Sequence, residues 1–428
     1  MIAASSPTPA PGALGAAVDP ALRAGGLGFA ATLLFVFFEY LRPQDWIAPL
    51  AEAPLHTLAA IPLLALVLAA LRLHTLRDPL IWIAGGLVAF SALWTPFASN
   101  RFWAFETFKF LALALLTILA MATFVDRPSR LRALLALLLV AFTVQGAWAL
   151  GHGGTGLTTH FGDENDLALG MNVALPFTVF GAFAARRLWP RAVLLAASGV
   201  LGAAVVASAS RGGIVALGAT ALAMLGFARR RVLIAGALAA GAVALIALAP
   251  ADYWADMNTM FDRQDATRVE RIRSWEQAQA AWVDNPVFGV GPGNIPWVIA
   301  RYESFDTRIT NSLGGRAVHS LYLTVLAEFG LVGVALYGAA IAFLLARCVA
   351  IARGPEVPGA QVHAWARAIA CSTVAWLVGG VFLSVLYYPH LYVLIGLAIA
   401  THELQQRAGA LAAPPPARRP WATPLGAS

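Results

Sequence analysis

The sequence predicts an all-α polytopic membrane protein with about twelve transmembrane helices and one large outer loop between the ninth and tenth. Two observations carry this. The chain of 428 residues is 59% hydrophobic and 12% charged, against about 25% charged in ordinary soluble domains. Its apolar stretches also recur at about 17–25 residues, the length a helix needs to cross a bilayer. No barrel-like alternation appears, and backbone in lipid must satisfy its hydrogen bonds internally, so strands are not expected.

In chain order the predicted spans are 26–40, 55–71, 79–95, 102–124, 131–150, 167–185, 192–209, 213–228, 232–249, 320–346, 366–388 and 390–403. Residues 1–25 and 406–428, rich in Pro and Ala, read as disordered cytoplasmic ends around a membrane domain over 26–405. The first residues lack the basic start of a signal peptide, so the first helix is expected to stay in the protein. Cys348 and Cys371 fall in or beside apolar helices and imply no disulfide framework.

The net charge of +7 is carried almost wholly by arginine. Alternate loops hold most of it, in clusters such as Arg127/Arg130/Arg132, Arg186/Arg187/Arg191 and Arg229/Arg230/Arg231. The intervening short loops hold only Arg42, Arg101 and Arg211. The positive-inside rule then puts both termini in the cytoplasm, in agreement with an even number of spans. It also replaces nucleic-acid binding as the reason for the charge. The outer stretch 250–319 breaks the pattern with Arg263, Arg268, Arg271, Arg273, Arg301, Arg308 and Arg316. Topology does not require these arginines, and long loops are disproportionately functional.

Within that loop, Arg268, Arg271, Trp275, Ala278 and Trp282 share one helical stripe. Such a stripe suits an interfacial helix, or an arginine aimed at a diphosphate, whose oxygens match the guanidinium fork. "GVGPGN" lacks the Lys-Ser/Thr of a nucleotide loop and reads as a turn in a tight space. In "SASRGGIVA", Arg211 precedes two glycines at a helix start, which favours an anion, although a lone arginine there can also snorkel.

Lys109 sits roughly two turns inside the fourth span, with Glu106 on its face as an alternative ion-pair partner to a substrate. Asp163, Glu164, Asn165 and Asp166 crowd a helix entrance, where capping competes with weak cation binding. His319 stands at the start of the tenth span. A neutral imidazole there is a competent general base, and a helix N-terminus disfavours its protonation, but position alone favours an interfacial histidine with solvated ring nitrogens. Glu328 lies about 13 Å along that helix from His319, too far for a direct partner and better suited to a structural role.

Taken in order, "SRGG", "RIRSW…NPVFGVGPGN" and "HSLYLTVLAEFGLVG" resemble the shared region of the O-antigen ligase and O-antigen polymerase family, bacterial inner-membrane glycosyltransferases. The resemblance covers about Phe161 to Gly333 by motif, and the whole chain by its twelve-span, GT-C-like layout. It implies metal-independent, cofactor-free, inverting transfer of a glycan from an undecaprenyl-diphosphate carrier. The acceptor hydroxyl would belong to lipid A–core, another glycan or a protein side chain, at the periplasmic face. By carry-over His319 is the base, Arg271 holds the carrier diphosphate and Arg211 is a second contact. Arg268, Lys109 and Asn165 are further candidates for substrate binding, and Arg316 stands near the base. The implied partners are the lipid-linked donor, the acceptor and membrane lipids, with no nucleic acid. A membrane transporter or flippase for a lipid-linked glycan is the alternative. It predicts broken or charged helices near mid-membrane and internal repeats, and no repeat is present.

Overall fold

The structure is a computed structural model that describes residues 20–71, 73–228, 231–248, 254, 266–305, 311–355 and 361–412. Arg72, Arg229, Arg230, Arg263, Arg308, Arg418 and Arg419 lie outside the described residues, as do 1–19 and 413–428. Among the described residues the regular elements are helices: α1 (Pro20–Tyr40), α2 (Leu55–Ala70), α3 (Pro79–Trp94), α4 (Arg101–Phe124) and α5 (Pro128–Ala149). They continue with α6 (Glu164–Ala184), α7 (Leu188–Ala207), α8 (Arg211–Phe227), α9 (Arg231–Leu248) and α10 (Ala266–Asp284). The short α11 (Ile295–Val298), α12 (Leu321–Arg353), α13 (Val362–Gly379) and α14 (Pro389–Ala412) complete the chain.

Each predicted span overlaps a helix, and among the described residues seven helices are apolar and long enough to cross a membrane. These are α1, α3, α4, α5, α6, α7 and α12, while α2 and α8 are shorter apolar helices. Helix starts follow the capping chemistry of the sequence. Asn100, Asp163, Ser210 and Ser320 cap α4, α6, α8 and α12, and each side chain accepts a backbone N–H of the first turn. At the outer edges the helices exceed the expectation. α1 begins at Pro20, a residue suited to a first helical turn, and α14 runs to Ala412, so both enter stretches read as disordered.

Two predicted spans are corrected. The eleventh, 366–388, ends as a helix at Gly379, and residues 380–388 form a loop with one 3₁₀ turn at Val385–Tyr387. A Cβ on Gly379 would lie 2.6 Å from Leu169, and one on Gly380 2.9 Å from Leu321. The glycine pair lets the chain leave the helix in a crowded place, and Pro389 starts the next. The tenth span, 320–346, is interrupted at Gly330 (φ 60°, ψ −153°).

The bundle is centred on α6, α13 and α14, with residues 391–401 of α14 all buried. Phe161, Phe329 and Trp376 are among the largest fully buried side chains. In lipid such packing holds helices through van der Waals contact rather than escape from water. Asp78 and Arg347 join the α2–α3 turn to α12 through two hydrogen bonds of 2.6 and 3.0 Å. Outside the bundle, Ala278 and Ala281 of α10 pack with Ile295, Val298, Leu313 and Val318 into a small separate core. The helix is thus one wall of a folded outer segment rather than an isolated surface helix.

Candidate active site at one end of the bundle

The outer segment is tied into α12 at its interruption. Gly330 frees neighbouring backbone groups, and residues 286–291 of the "NPVFGVG" stretch satisfy them. Val290 and Gly291 donate to the carbonyls of Ala327 and Glu328 at 2.8 and 3.0 Å. Leu331 and Val332 donate to Pro286 and Val287 at 3.0 and 3.2 Å. The approach leaves no room for side chains. A Cβ on Gly289 (φ 69°) would lie 2.4 Å from the Glu328 backbone, and one on Gly330 2.5 Å from that of Val287. The turn in a tight space read from "GVGPGN" is therefore present, and what makes it tight is a broken helix.

Glu328 completes the junction. Its buried carboxylate accepts the N–H groups of Gly293 (2.8 Å) and Ile295 (3.1 Å) and the Tyr387 hydroxyl. This is the structural role expected for it. Beside it lies a cavity of about 390 Å³ lined by Trp103, Glu106, Pro296, Val318, Ser384 and Tyr387, among others. Lys109 does not line it. Its ammonium donates to Glu106 at 2.8 Å, and Glu106 reaches the cavity wall.

His319 lies immediately before α12 in a left-handed backbone conformation (φ 54°), which is uncommon for a residue with a side chain. Two hydrogen bonds hold that turn. The His319 N–H donates to the Ser384 hydroxyl at 2.9 Å, and the Ser274 hydroxyl donates to the Val318 carbonyl at 3.0 Å. Ser274 also lies 2.9 Å from the Arg271 carbonyl, so the turn that bears Arg271 is fastened to the segment that bears His319. The imidazole stays solvent-accessible in a crowded setting. Burial and the Arg271 guanidinium push its pKa below the ordinary histidine value, while Asp163 and Glu270 pull it upward. The neutral form is favoured at neutral pH.

Asp163 belongs to the third strand of this convergence. It caps α6 by accepting the Asn165 N–H at 2.8 Å, and its carboxylate also accepts the Asn165 amide at 3.0 Å. The Asn165 carbonyl oxygen accepts the Ser210 hydroxyl at 2.7 Å, and Arg211 follows directly. Gly213 is required here, since a Cβ would lie 2.5 Å from Ala168. Tyr388 donates to Asp166 at 2.7 Å. The acidic group is thus engaged in capping and cross-links. Among the described residues no cluster of His, Cys, Asp or Glu is arranged to hold a metal ion.

The structure therefore gathers His319, Arg271 and Asp163, with Asn165 and Arg211 linked through Ser210. Arg268 lies on the exposed first turn of α10, one turn before Arg271. Arg316 is paired with Glu270. Arg273 serves the outer fold by donating to the Asn311 carbonyl and lying 3.9 Å from the buried Glu303. Sequence reasoning missed Ser274, Ser384, Tyr387 and Tyr388. Three of these sit in the loop read as helix, and the pair Gly379-Gly380 ahead of Pro389 was the available signal.

The described residues form a helical bundle with helices apolar and long enough to cross a membrane, and a histidine, arginines and a cavity gather at one end of it. The family model described as O-antigen ligase matches residues 196–338, from the middle of α7 to beyond the break in α12. The match spans a third of the chain and supports a glycosyltransferase-like, ligase-type membrane enzyme. The match includes Arg211, Arg268, Arg271, Arg316 and His319, and lies outside Lys109 and Asn165. No curated protein matches the chain.

Proposed function

We propose that this protein transfers a glycan from an undecaprenyl-diphosphate carrier to an acceptor hydroxyl at the periplasmic face of the bacterial inner membrane. Its twelve helices span the bilayer with both termini in the cytoplasm, and the outer segment 250–319 faces the periplasm. His319 takes the acceptor proton as the oxygen attacks the anomeric carbon from the side opposite the leaving group. The bond from that carbon to the diphosphate oxygen breaks with inversion. Arg271 and Arg211 stabilise the departing negative charge, and no metal takes part. Arg268, Arg316, Lys109 and Asn165 line the approach of the donor or hold the residues that touch it.

What supports this reading is the convergence of His319 and Arg271, whose guanidinium helps to hold the imidazole pKa below its ordinary value, within the stretch that matches O-antigen ligase. A transporter reading draws on the interrupted α12, a feature of helices that bind cargo near mid-membrane. Here the groups freed by the break are bonded to residues 286–291 of the same chain, which leaves none of these four for a solute. The test is transfer in vitro from a defined undecaprenyl-diphosphate glycan to lipid A–core, glycan and peptide acceptors. His319→Ala with full activity and a normal fold would remove the proposed base. Loss of activity in EDTA, restored by a divalent ion, would remove metal independence.

A further inference from the structure

A second cavity lies at the opposite end of the bundle from His319. It has a volume of about 1200 Å³ and opens between the start of α5, the end of α6, the starts of α7, α9 and α13, and the end of α8. That exceeds the roughly 300–1,000 Å³ of pockets that enclose drug-sized ligands. Its wall is apolar, with Leu139, Phe177, Phe180 and Ile234 facing in. Its polar rim is basic. Arg132, Arg186, Arg187 and Arg367 line it, and among the described residues no Asp or Glu does.

Arg367 donates to the Ala352 carbonyl at 3.4 Å, and the neighbouring Arg191 caps the end of α6 by donating to the carbonyls of Ala182 and Ala185 at 3.2 and 3.3 Å; the other three rim arginines differ. Arg132, Arg186 and Arg187 are exposed, and their guanidinium groups make no ion pair or hydrogen bond with any described residue. Trp189, 77% exposed, stands beside them at the level where amphipathic rings favour a membrane interface. A requirement for cytoplasmic positive charge explains arginines anywhere in these loops. It does not explain why two helices and the turn between α6 and α7 bring them to one apolar cavity with no described acid beside them.

We propose that this cavity binds an anionic diacyl phospholipid of the cytoplasmic leaflet. The acyl chains lie along Phe177, Phe180 and Ile234, and the phosphate is held by Arg132, Arg186 and Arg187. Charge complementarity selects this occupant: a basic rim over an apolar cleft at headgroup depth matches an acidic lipid and not a zwitterionic one. The site lies apart from His319 and is independent of the transfer reaction.

The experiment is native mass spectrometry of the full chain released from phosphatidylcholine nanodiscs doped with phosphatidylglycerol. The expected result is retention of phosphatidylglycerol in preference to phosphatidylcholine, with no displacement by free glycerol phosphate. Each arginine should contribute about fivefold to that preference. R132Q/R186Q/R187Q should therefore lower it by about a hundredfold while leaving the thermal unfolding midpoint in place. Equal retention of both lipids overturns the proposal, as does unchanged preference in the triple variant or a dimer that excludes lipid. If the triple variant does not fold, competition between the two lipids on the unaltered chain still decides.

Discussion

The backbone N–H of His319 donates to the hydroxyl of Ser384 at 2.9 Å, across 65 residues of sequence. That bond fixes the left-handed turn from which the imidazole projects. Ser384→Ala is expected to lower kcat for glycan transfer by about tenfold to a hundredfold through misplacement of the base, with a smaller effect on KM. Ser384→Thr, which keeps the acceptor, should restore most of the rate. Equal losses in the two variants would show that the hydroxyl does not position His319.

Removing the imidazole is the direct comparison. His319→Ala is expected to reduce kcat by about 10²–10⁴-fold, the usual contribution of a general base. Size-exclusion behaviour in detergent should be unchanged, since the ring makes no hydrogen bond that holds the fold among the described residues.

The pH profile gives a signed test. In the proposed mechanism His319 acts in its neutral form, and burial together with Arg271 holds its pKa below the ordinary value. Activity should therefore be level through neutral pH and fall as pH drops through a point below about 6.5, the unperturbed histidine pKa. Arg271→Gln removes a positive neighbour, so its acid limb should move to higher pH, apart from any loss in rate. Asp163→Asn removes a negative one, so its limb should move lower. A limb that stays fixed in both variants would separate the observed titration from His319.

The junction at the broken helix should be intolerant of a single methyl group. Gly330→Ala places a Cβ 2.5 Å from the Val287 backbone at φ 60°, at an expected cost of about 1–3 kcal/mol. Thermal unfolding in detergent reads this directly. Gly218→Ala, on α8 with open space around it, is the control and should not destabilise.

Glu328→Gln leaves one of the two backbone donors, Gly293 or Ile295, without a good acceptor, at a cost of about 1–3 kcal/mol. The loop over the cavity should loosen, seen as faster amide exchange across residues 289–295. Tyr387→Phe removes only the hydroxyl from the same network and should have the smaller effect.

Much of the architecture was legible because lipid enforces a simple rule: long apolar runs become helices and arginines collect on one side. The positions of α3 to α9 follow the predicted spans within a few residues. The site was legible where one segment carried its own chemistry, as with His319 at a helix start or Arg211 beside "GG". Hidden were relations between distant segments. Ser384 reads as an ordinary polar residue in an apolar run, and only the fold brings it under His319. Gly330 likewise reads as one more glycine in a membrane helix. Its left-handed turn becomes visible once residues 286–291 are seen bonded to the gap. The sequence leaves Lys109 open both to a substrate contact and to an ion pair with Glu106, and that pair is present.

The bond between residues 286–291 and the gap in α12 bears on how the protein is made. The filling segment is synthesised before the helix it completes. In the proposed orientation it is exported while α12 is still unmade. When α12 enters the bilayer it carries an interrupted hydrogen-bond ladder, which hydrocarbon tolerates poorly. Biogenesis must therefore end with the exported segment returning to dock into a helix already in the membrane. The outer segment is a late-arriving component of the membrane domain, and excising it would leave a transmembrane helix that cannot mature.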